Sequence, residues 1–315
     1  MLSRSFRGKI QTQLGARLEE AATKFDLPLT SQHFDKHYAS VYPSGIFTYN
    51  FTQLRLARVS YSRRVSRPNP WQLSPIEFRQ DLRNVFHGNP SLGAEYTDAL
   101  EFSIQDSHSW GSIQLNPYAR RTNNAVRNIQ YIDANGVSVG TFANLAHNST
   151  VGTELNVNYR HGPFTGGGGG SLSRYSSDAR NLTVTTTNLS TVAVSWSARV
   201  NGTWKFTNKV DAQLFSNYRA PTKTEGGSSL AFVNTSLGGR YKVWGDQGNI
   251  SVRVNDPFRM SKFGYRTANG QIVELSQRYF NARAVYVSVT RNFGQALRLR
   301  PKSESEDTQT GPPPP

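Results

Sequence analysis

The sequence predicts an all-β fold, an antiparallel up-and-down transmembrane β-barrel, from three observations. Apolar and polar side chains alternate with a period of two, apolar content is modest while aromatics are plentiful, and short turns alternate with long polar stretches. Only 36% of the 315 residues are hydrophobic, and Gly, Ser, Thr, Asn and Tyr are abundant. A large dry core is not expected from that composition, whereas a barrel with a wet interior needs only one apolar face per strand. The 17 Phe, 14 Tyr and 5 Trp argue against a disordered chain.

The chain has no cysteine, which excludes a disulfide framework, a thiolate metal site and a thiol nucleophile. Its formal charge of +15 would suit a polyanion, but Arg and Lys are scattered and do not form a stripe. Nucleic acid is therefore not an expected partner, whereas outer-membrane lipid and the phosphates of lipopolysaccharide are. No stretch approaches the ~20 apolar residues of a membrane helix, so insertion would have to use strands. The segment Met1 to Gln13 is charged and has no secretory apolar run.

The alternation recurs along the chain. Leu100, Phe102 and Ile104 alternate with Glu101, Ser103 and Gln105, and Leu155, Val157 and Tyr159 alternate with Glu154, Asn156, Asn158 and Arg160. Val192, Val194, Trp196, Ala198 and Val200 interleave with Ser195, Ser197, Arg199 and Asn201. Val233, Leu237, Tyr241 and Val243 face away from Asn234, Ser236, Arg240 and Lys242. Ile250, Val252 and Val254 flank Ser251 and Arg253, and Val285, Val287, Val289 and Phe293 oppose Tyr286, Ser288, Thr290 and Asn292. About 12 long strands are expected from this pattern.

Asn201-Gly202, Asp246-Gln247-Gly248 and Asn269-Gly270 read as short turns, and Arg67 to Gly88 as a long loop. From Trp110 to Asn123, alternation runs past Pro117 for longer than the ~9–11 residues a membrane strand needs. A soluble antiparallel sandwich alternates in the same way, but its strands are usually shorter. Tyr49, Phe51, Tyr61, Tyr118, Tyr159, Trp204, Phe206, Tyr218 and Tyr241 fall towards strand ends, as interfacial girdles do, although strand propensity alone also favours aromatics.

No catalytic, cofactor or metal site is expected. His33 and His37 have the spacing of a helical metal pair, but lack a third ligand and lie in a segment that reads as a loop. Asp106, Ser107 and His108 are of triad type, yet adjacency is not triad geometry, and the run reads as a hairpin turn. Gly166 to Gly170 lacks the Lys-Ser/Thr of a phosphate loop and reads as a flexible strand end or loop. Asn148-Ser149-Thr150 would be a glycan acceptor only in a eukaryotic secretory setting. Residues 295–315 read as a disordered charged and Pro-rich tail after a barrel segment spanning 1–294.

Tyr42-Pro43-Ser44, Tyr49-Asn50-Phe51, Tyr61-Ser62-Arg63-Arg64 and Arg67-Pro68 together resemble a signature of TonB-dependent outer-membrane receptor barrels. Leu73-Ser74-Pro75, Gly88-Asn89-Pro90, Leu92, Glu95 and Tyr96 are similar to that family's next loop and strand, in the branch common among Bacteroidetes. Asn255-Asp256-Pro257-Phe258 and Thr290-Arg291-Asn292-Phe293-Gly294 resemble its last hairpin and terminal strand, so the likeness runs from about Gly8 to Gly294. The resemblance implies a bacterial outer-membrane location and a barrel of about 22 strands filled by a plug domain. It also implies TonB coupling and energised import of a siderophore, cofactor or glycan.

The expectation is thus the C-terminal part of such a barrel, without plug, TonB box or signal peptide, not an enzyme, and unable to close or insert stably alone. Arg63, Arg64, Glu101, Arg120, Glu154 and Arg199 are expected to face the lumen, against a plug or along the path. Alternatives are a passive porin or adhesin barrel and a soluble secreted β-sandwich that binds polyanions or carbohydrate.

Overall fold

A computed structural model describes residues 2–6, 8–27, 32–79, 81–144, 147–178, 190–224, 227–245, 247–269, 272–279 and 283–293. The chain runs through β1 (Leu2–Phe6), β2 (Ile10–Leu27), β3 (Gln32–Asn50), β4 (Arg55–Ser66), α1 (Pro70–Leu73), β5 (Phe78–Arg79), β6 (Asn84–Phe86), β7 (Glu95–His108) and β8 (Gly111–Asn123). It continues through β9 (Val126–Ile132), β10 (Ser138–Asn144), β11 (His147–His161), β12 (Phe164–Asp178), β13 (Thr191–Lys205), β14 (Val210–Arg219), β15 (Thr222–Thr224) and β16 (Gly227–Ser229). The last elements are β17 (Phe232–Val243), β18 (Gly248–Asn255), β19 (Lys262–Asn269), β20 (Ile272–Tyr279) and β21 (Ala284–Arg291). The expected tail at 295–315 lies outside the described residues.

Thirteen strands form one sheet in the order β1-β2-β3-β4-β7-β8-β11-β12-β13-β14-β17-β18-β21, one more than the expected dozen. Each is antiparallel to its neighbour, and the sheet is open, with β1 and β21 at its edges. The skipped strands form two small sheets, β5-β6-β10-β9 and β15-β16-β19-β20. All of these lie in connections at one end of the wall; the other end is closed by short turns.

The short turns repeat a chemical device. After Phe51, the Thr52 hydroxyl accepts from the Arg55 amide at 3.0 Å, and after Phe206, the Thr207 hydroxyl accepts from the Val210 amide at the same distance. Gly162 (φ 54°) and Gly245 (φ 62°) supply left-handed turn positions that a Cβ would strain.

Register converts the alternation into two continuous faces. Phe47 pairs with Val59, Val59 with Phe102, Ile104 with Leu115, and Leu115 with Leu155. Leu214 pairs with Leu237, Leu237 with Val254, and Val254 with Val285. Most side chains of this apolar face are exposed, Leu237 by 39% and Val285 by 65%, and on the same face Leu100 by 53% and Val194 by 59%. A water-soluble sheet would cover such a face; this one presents it outward.

Charged pairs bracket the apolar band on β7. At the short-turn end, Arg55 donates through Nε and Nη2 to Asp106, at 3.1 and 2.7 Å. At the other, Asp98 accepts from the Tyr61 hydroxyl at 2.6 Å and pairs with Arg63 at 3.4 Å. The eight positions between the two carboxylates cover about 26 Å of strand, or about 20 Å along the normal once the strand is tilted by ~40°. With its flanking rows this matches the ~25 Å apolar band of outer-membrane barrels.

At the short-turn edge the rings of His108, Trp110, Tyr159, Phe164 and Trp204 touch in series, with centroids 5.1 to 6.0 Å apart. Tyr118 does not join such a belt, because it lies on the polar face with the Arg120 guanidinium 4.7 Å from its ring centroid.

Four expectations are corrected. Asn201-Gly202 is no turn but lies inside β13, paired with β12 on one side and β14 on the other. Gly166 to Gly170 is neither a loop nor a strand end but lies inside β12, paired on both sides. A Cβ at Gly166, Gly167 or Gly169 would come within 2.5 to 2.7 Å of a neighbouring carbonyl oxygen, so the bare backbone permits close approach of β11 and β13. His33 and His37 lie on β3, in the part of the β2–β3 hairpin that outruns the bilayer. His33 bonds Asp26 on β2 and His37 pairs with Asp35 at 3.0 Å, so the histidines serve the hairpin. Asp106, Ser107 and His108 belong to β7, and the turn is Ser109-Trp110.

The densest core lies outside the wall. Leu73, Val85, Leu92, Ala94, Ala125, Ile129, Val139 and Ala143 are buried where α1, β5, β6, β9 and β10 fold together. Asn69 closes a capping box on α1, accepting from the Gln72 amide while the Gln72 side chain accepts from the Asn69 amide, both at 2.9 Å. Gly88 then passes over the helix, where a Cβ would meet the carbonyls of Trp71, Gln72 and Ser74, each at 2.6 Å. Nearby, the Asn84 amide and then the Arg83 backbone N–H hold the Asp81 carboxyl below its ordinary range.

Two substitutions test the close-approach argument. In the whole barrel that this wall belongs to, Gly169→Val should destabilise the folded state by about 1–3 kcal/mol, read as a lower denaturant midpoint of the form that migrates anomalously on unheated gels. Gly239→Ala, where nothing lies within 4 Å of the added Cβ, should leave the midpoint unchanged. Gly88→Ala should raise amide exchange across 69–92 and leave exchange in β11 to β13 as it was.

Candidate functional site: the polar face of the wall

The face opposite the apolar band is where the chain can do chemistry. Alternation places Glu101 on β7, Arg120 on β8, Glu154 on β11 and Arg199 on β13 on this face, in company with Ser103, Gln114, Asn116, Asn156, Ser171 and Ser197. Arg120 Nη2 donates to Glu101 Oε1 at 2.7 Å, with both side chains about half exposed, so the pair contributes ~0–1 kcal/mol and serves orientation more than stability. Arg199 Nη2 donates to Asn156 Oδ1 at 2.7 Å. Gln114 bridges Ser103 and Asn116, at 3.3 and 3.1 Å, and the hydroxyls of Ser171 and Ser197 lie 2.8 Å apart.

Glu154 has no ion-pair partner among the described residues. It sits opposite Asn116 and Ser171 in register, between Arg120 and Arg199 along the face. Glu154 lines a depression of about 340 Å³ with Glu101, Asn116 and Arg120, and a second of about 200 Å³ with Asn156 and Arg199. The four residues therefore belong to one polar track.

Arg63 does not join it. Arg64 faces the track beside Ser60 and Ser62, but consecutive strand residues point to opposite faces, and Arg63 sits with Tyr61 and Asp98 at the edge of the apolar band. The expectation that both arginines face one way is corrected accordingly.

The other motif residues fasten the long excursion after β4 to the wall. Arg67 pairs with Glu19 on β2 at 2.7 Å, directing the chain at Pro68 towards α1. Asn89 donates to the Phe142 carbonyl at 2.9 Å and accepts from the Ser91 amide at 2.8 Å, so Gly88-Asn89-Pro90 docks on β10. Near the chain's end, buried Asp256 (φ 45°) accepts from the amides of Met260 and Ser261, at 2.7 and 3.1 Å, which explains the Asn255-Asp256-Pro257 motif as a turn.

A depression of about 810 Å³ on the polar face was not anticipated as a site. Asn201, Gln213, Ser236, Arg240, Arg253 and Tyr286 are among its lining residues. Asp211, 5% exposed, accepts from Arg240 Nε and Nη2 at 2.9 and 2.7 Å, and Arg253 lies 5.3 Å from the Tyr286 ring centroid. The strand parity of Arg240 and Arg253 was readable beforehand; the depression they share depends on how five strands pack.

Asp106 and His108 lie 3.5 Å apart on the apolar face, whereas the intervening Ser107 points the other way, so they form no triad. Among the described residues no three His, Cys, Asp or Glu side chains cluster to hold a metal.

Residues 1–290 match the model of the outer membrane protein beta-barrel family. No curated protein sequence matches the chain. Among solved structures, the wall is similar to the siderophore receptor PirA from Pseudomonas aeruginosa, with 15% identity, a TM-score of 0.59, and coverage of 92% of this chain and 47% of that one. It is similar to the FrpB iron transporter from Neisseria meningitidis, F3-3 variant, with 16% identity, a TM-score of 0.61, and coverage of 91% and 43%. It is also similar to the copper transporter OprC, with 14% identity, a TM-score of 0.62, and coverage of 89% and 46%. The chain thus spans less than half the length of these proteins, and at such identities the likeness concerns the fold. An exposed apolar band, a polar opposite face and a family match over nearly the whole length agree: the chain belongs to the outer membrane protein beta-barrel family and is a wall of the bacterial outer membrane.

Proposed function

We propose that this chain is the C-terminal part of the barrel of a TonB-dependent receptor that imports a siderophore, cofactor or glycan. In the whole receptor, its polar face lines the lumen. The observation that carries the reading is the unbroken polar track: Glu101, Arg120, Glu154 and Arg199 lie on one face of four strands whose other face is apolar. A passive wall needs only polarity there. Charged groups half exposed on that face, with Glu154 left without a counter-ion, suit contact with a plug domain or a passing solute.

The open edges at β1 and β21 support the same reading. In hydrocarbon, an unpaired strand edge leaves N–H and C=O groups unsatisfied at several kcal/mol each, so the wall requires further strands to close. The similar receptors are about twice as long and have room for them. Import energised through TonB would then act on the plug, while this chain contributes the enclosing wall and the outer excursions built from α1, β5, β6, β9, β10, β15, β16, β19 and β20.

The native absence of cysteine makes the test direct. Single cysteines at Glu101, Glu154 and Arg199 should react in cells with a membrane-impermeant thiol reagent, while cysteines at Leu100 and Val194 should not. Equal reactivity of the two sets would sink the lumenal assignment. Import is tested separately: uptake by the whole receptor should stop when TonB is deleted, and uptake that persists would point to a passive pore.

A further inference from the structure

Three arginines lie on the apolar face near the end that carries the long connections, which is the outer side in barrels of this kind. Arg63 is on the apolar face of β4 with Val59 and Tyr61, Arg121 on that of β8 with Ile113 and Leu115, and Arg174 on that of β12 with Leu172. Each is similarly far from the short-turn end of its strand: eight positions from the start of β4, ten from the start of β8 and ten from the start of β12. Arg63 and Arg121 stand in one register row through Asp98, and Arg174 lies two residues from that row, so all three lie near the opposite border of the apolar band from the aromatic belt of Trp110, Tyr159, Phe164 and Trp204.

These strands alternate with β7 and β11 in the sheet, so neighbouring arginines are about 10 Å apart at the backbone. Long guanidinium side chains at that spacing can converge on one headgroup.

Their local partners leave charge available. Arg63 is tethered by Asp98 at 3.4 Å and lies 6.0 Å from the Tyr96 ring centroid, with 39% of its side chain exposed. Arg121 donates from Nε to Asn123 Oδ1 at 3.3 Å. Neither Arg121 nor Arg174 has an acidic partner among the described residues. Asp98 stands opposite both Arg63 and Arg121 in register and pairs with Arg63, so a single carboxylate faces the row of three guanidiniums. Arginines in such excess at the edge of an apolar band fit a planar anion supplied by the surroundings, and phosphate is the anion that a guanidinium fork binds in two-point fashion.

We infer that Arg63, Arg121 and Arg174 form a binding site for the phosphate groups of an outer-leaflet phosphoglycolipid, with its acyl chains lying along the apolar band below. Arg121 and Arg174 supply the free charges; Asp98 holds Arg63 in place at the end of the row. The site is on the outside of the wall and is independent of what passes through the lumen, so it stands or falls apart from the proposed transport.

The test uses the whole receptor that contains this chain, purified in detergent and freed of lipid, with native mass spectrometry as the readout. Bisphosphorylated lipid A should bind, whereas dephosphorylated lipid A should bind roughly thirtyfold more weakly. Inorganic phosphate should not compete at equal concentration. Arg121→Ala with Arg174→Ala should weaken the phosphorylated lipid by a similar factor. Arg83→Ala with Lys223→Ala, which removes the same charge from the outer excursions, should not. Equal binding of the two lipids by the unaltered receptor would overturn the site without reference to any variant, as would displacement by free phosphate or an unchanged affinity in the Arg121 and Arg174 double variant.

Discussion

The structure depends on one constraint: in hydrocarbon, backbone N–H and C=O groups have no water to bond with, so every strand must be paired by a neighbour. The thirteen-stranded antiparallel sheet meets that demand everywhere except at β1 and β21. Pairing also fixes register, and register is what turns a period of two in the sequence into one apolar and one polar surface. The exposure of Leu100, Val194 and Val287 is then no defect, because lipid replaces the protein core that a soluble sheet would need.

The same constraint explains features that look out of place one at a time. Five consecutive glycines would weaken an ordinary strand. In β12 they let the backbones of β11 and β13 come closer than Cβ atoms would allow, while their own amides and carbonyls remain paired. Pro117 lacks an amide to donate, yet it sits in β8 in register with Thr153, inside a run long enough to tolerate one missing bond. The charged pairs Arg55 with Asp106 and Arg63 with Asp98 mark where the apolar band ends, since beyond it water can solvate them.

Much of this was legible because alternation is a local signal. Leu100 to Gln105, Val192 to Asn201 and Ile250 to Val254 each declare two faces, and the strands appear where those runs stand. Beyond the bilayer both faces of a strand are wet, alternation fades, and His33 and His37 read as loop although they lie on β3. The excursion from Arg67 to Gly88 hides α1, β5 and β6, because short elements held by the Asn69 cap and the carbonyls around Gly88 leave no periodic trace. On the polar face, the positions of Glu101, Arg120, Glu154 and Arg199 followed from parity. The bond from Arg199 to Asn156 and the depression beside Arg240 and Arg253 arise between strands distant in sequence, which parity does not specify. Arg63 shows the limit of reading by residue type, for its charge suggested a wet face that its position on β4 does not permit.

The central claim is that the apolar face meets lipid. Membrane fractionation of cells making the chain behind a secretion signal tests it most directly. Recovery with the particulate fraction and release only by detergent is expected, whether the open wall is held in the membrane or aggregates beside it; a monomer that stays in solution without detergent would contradict the claim.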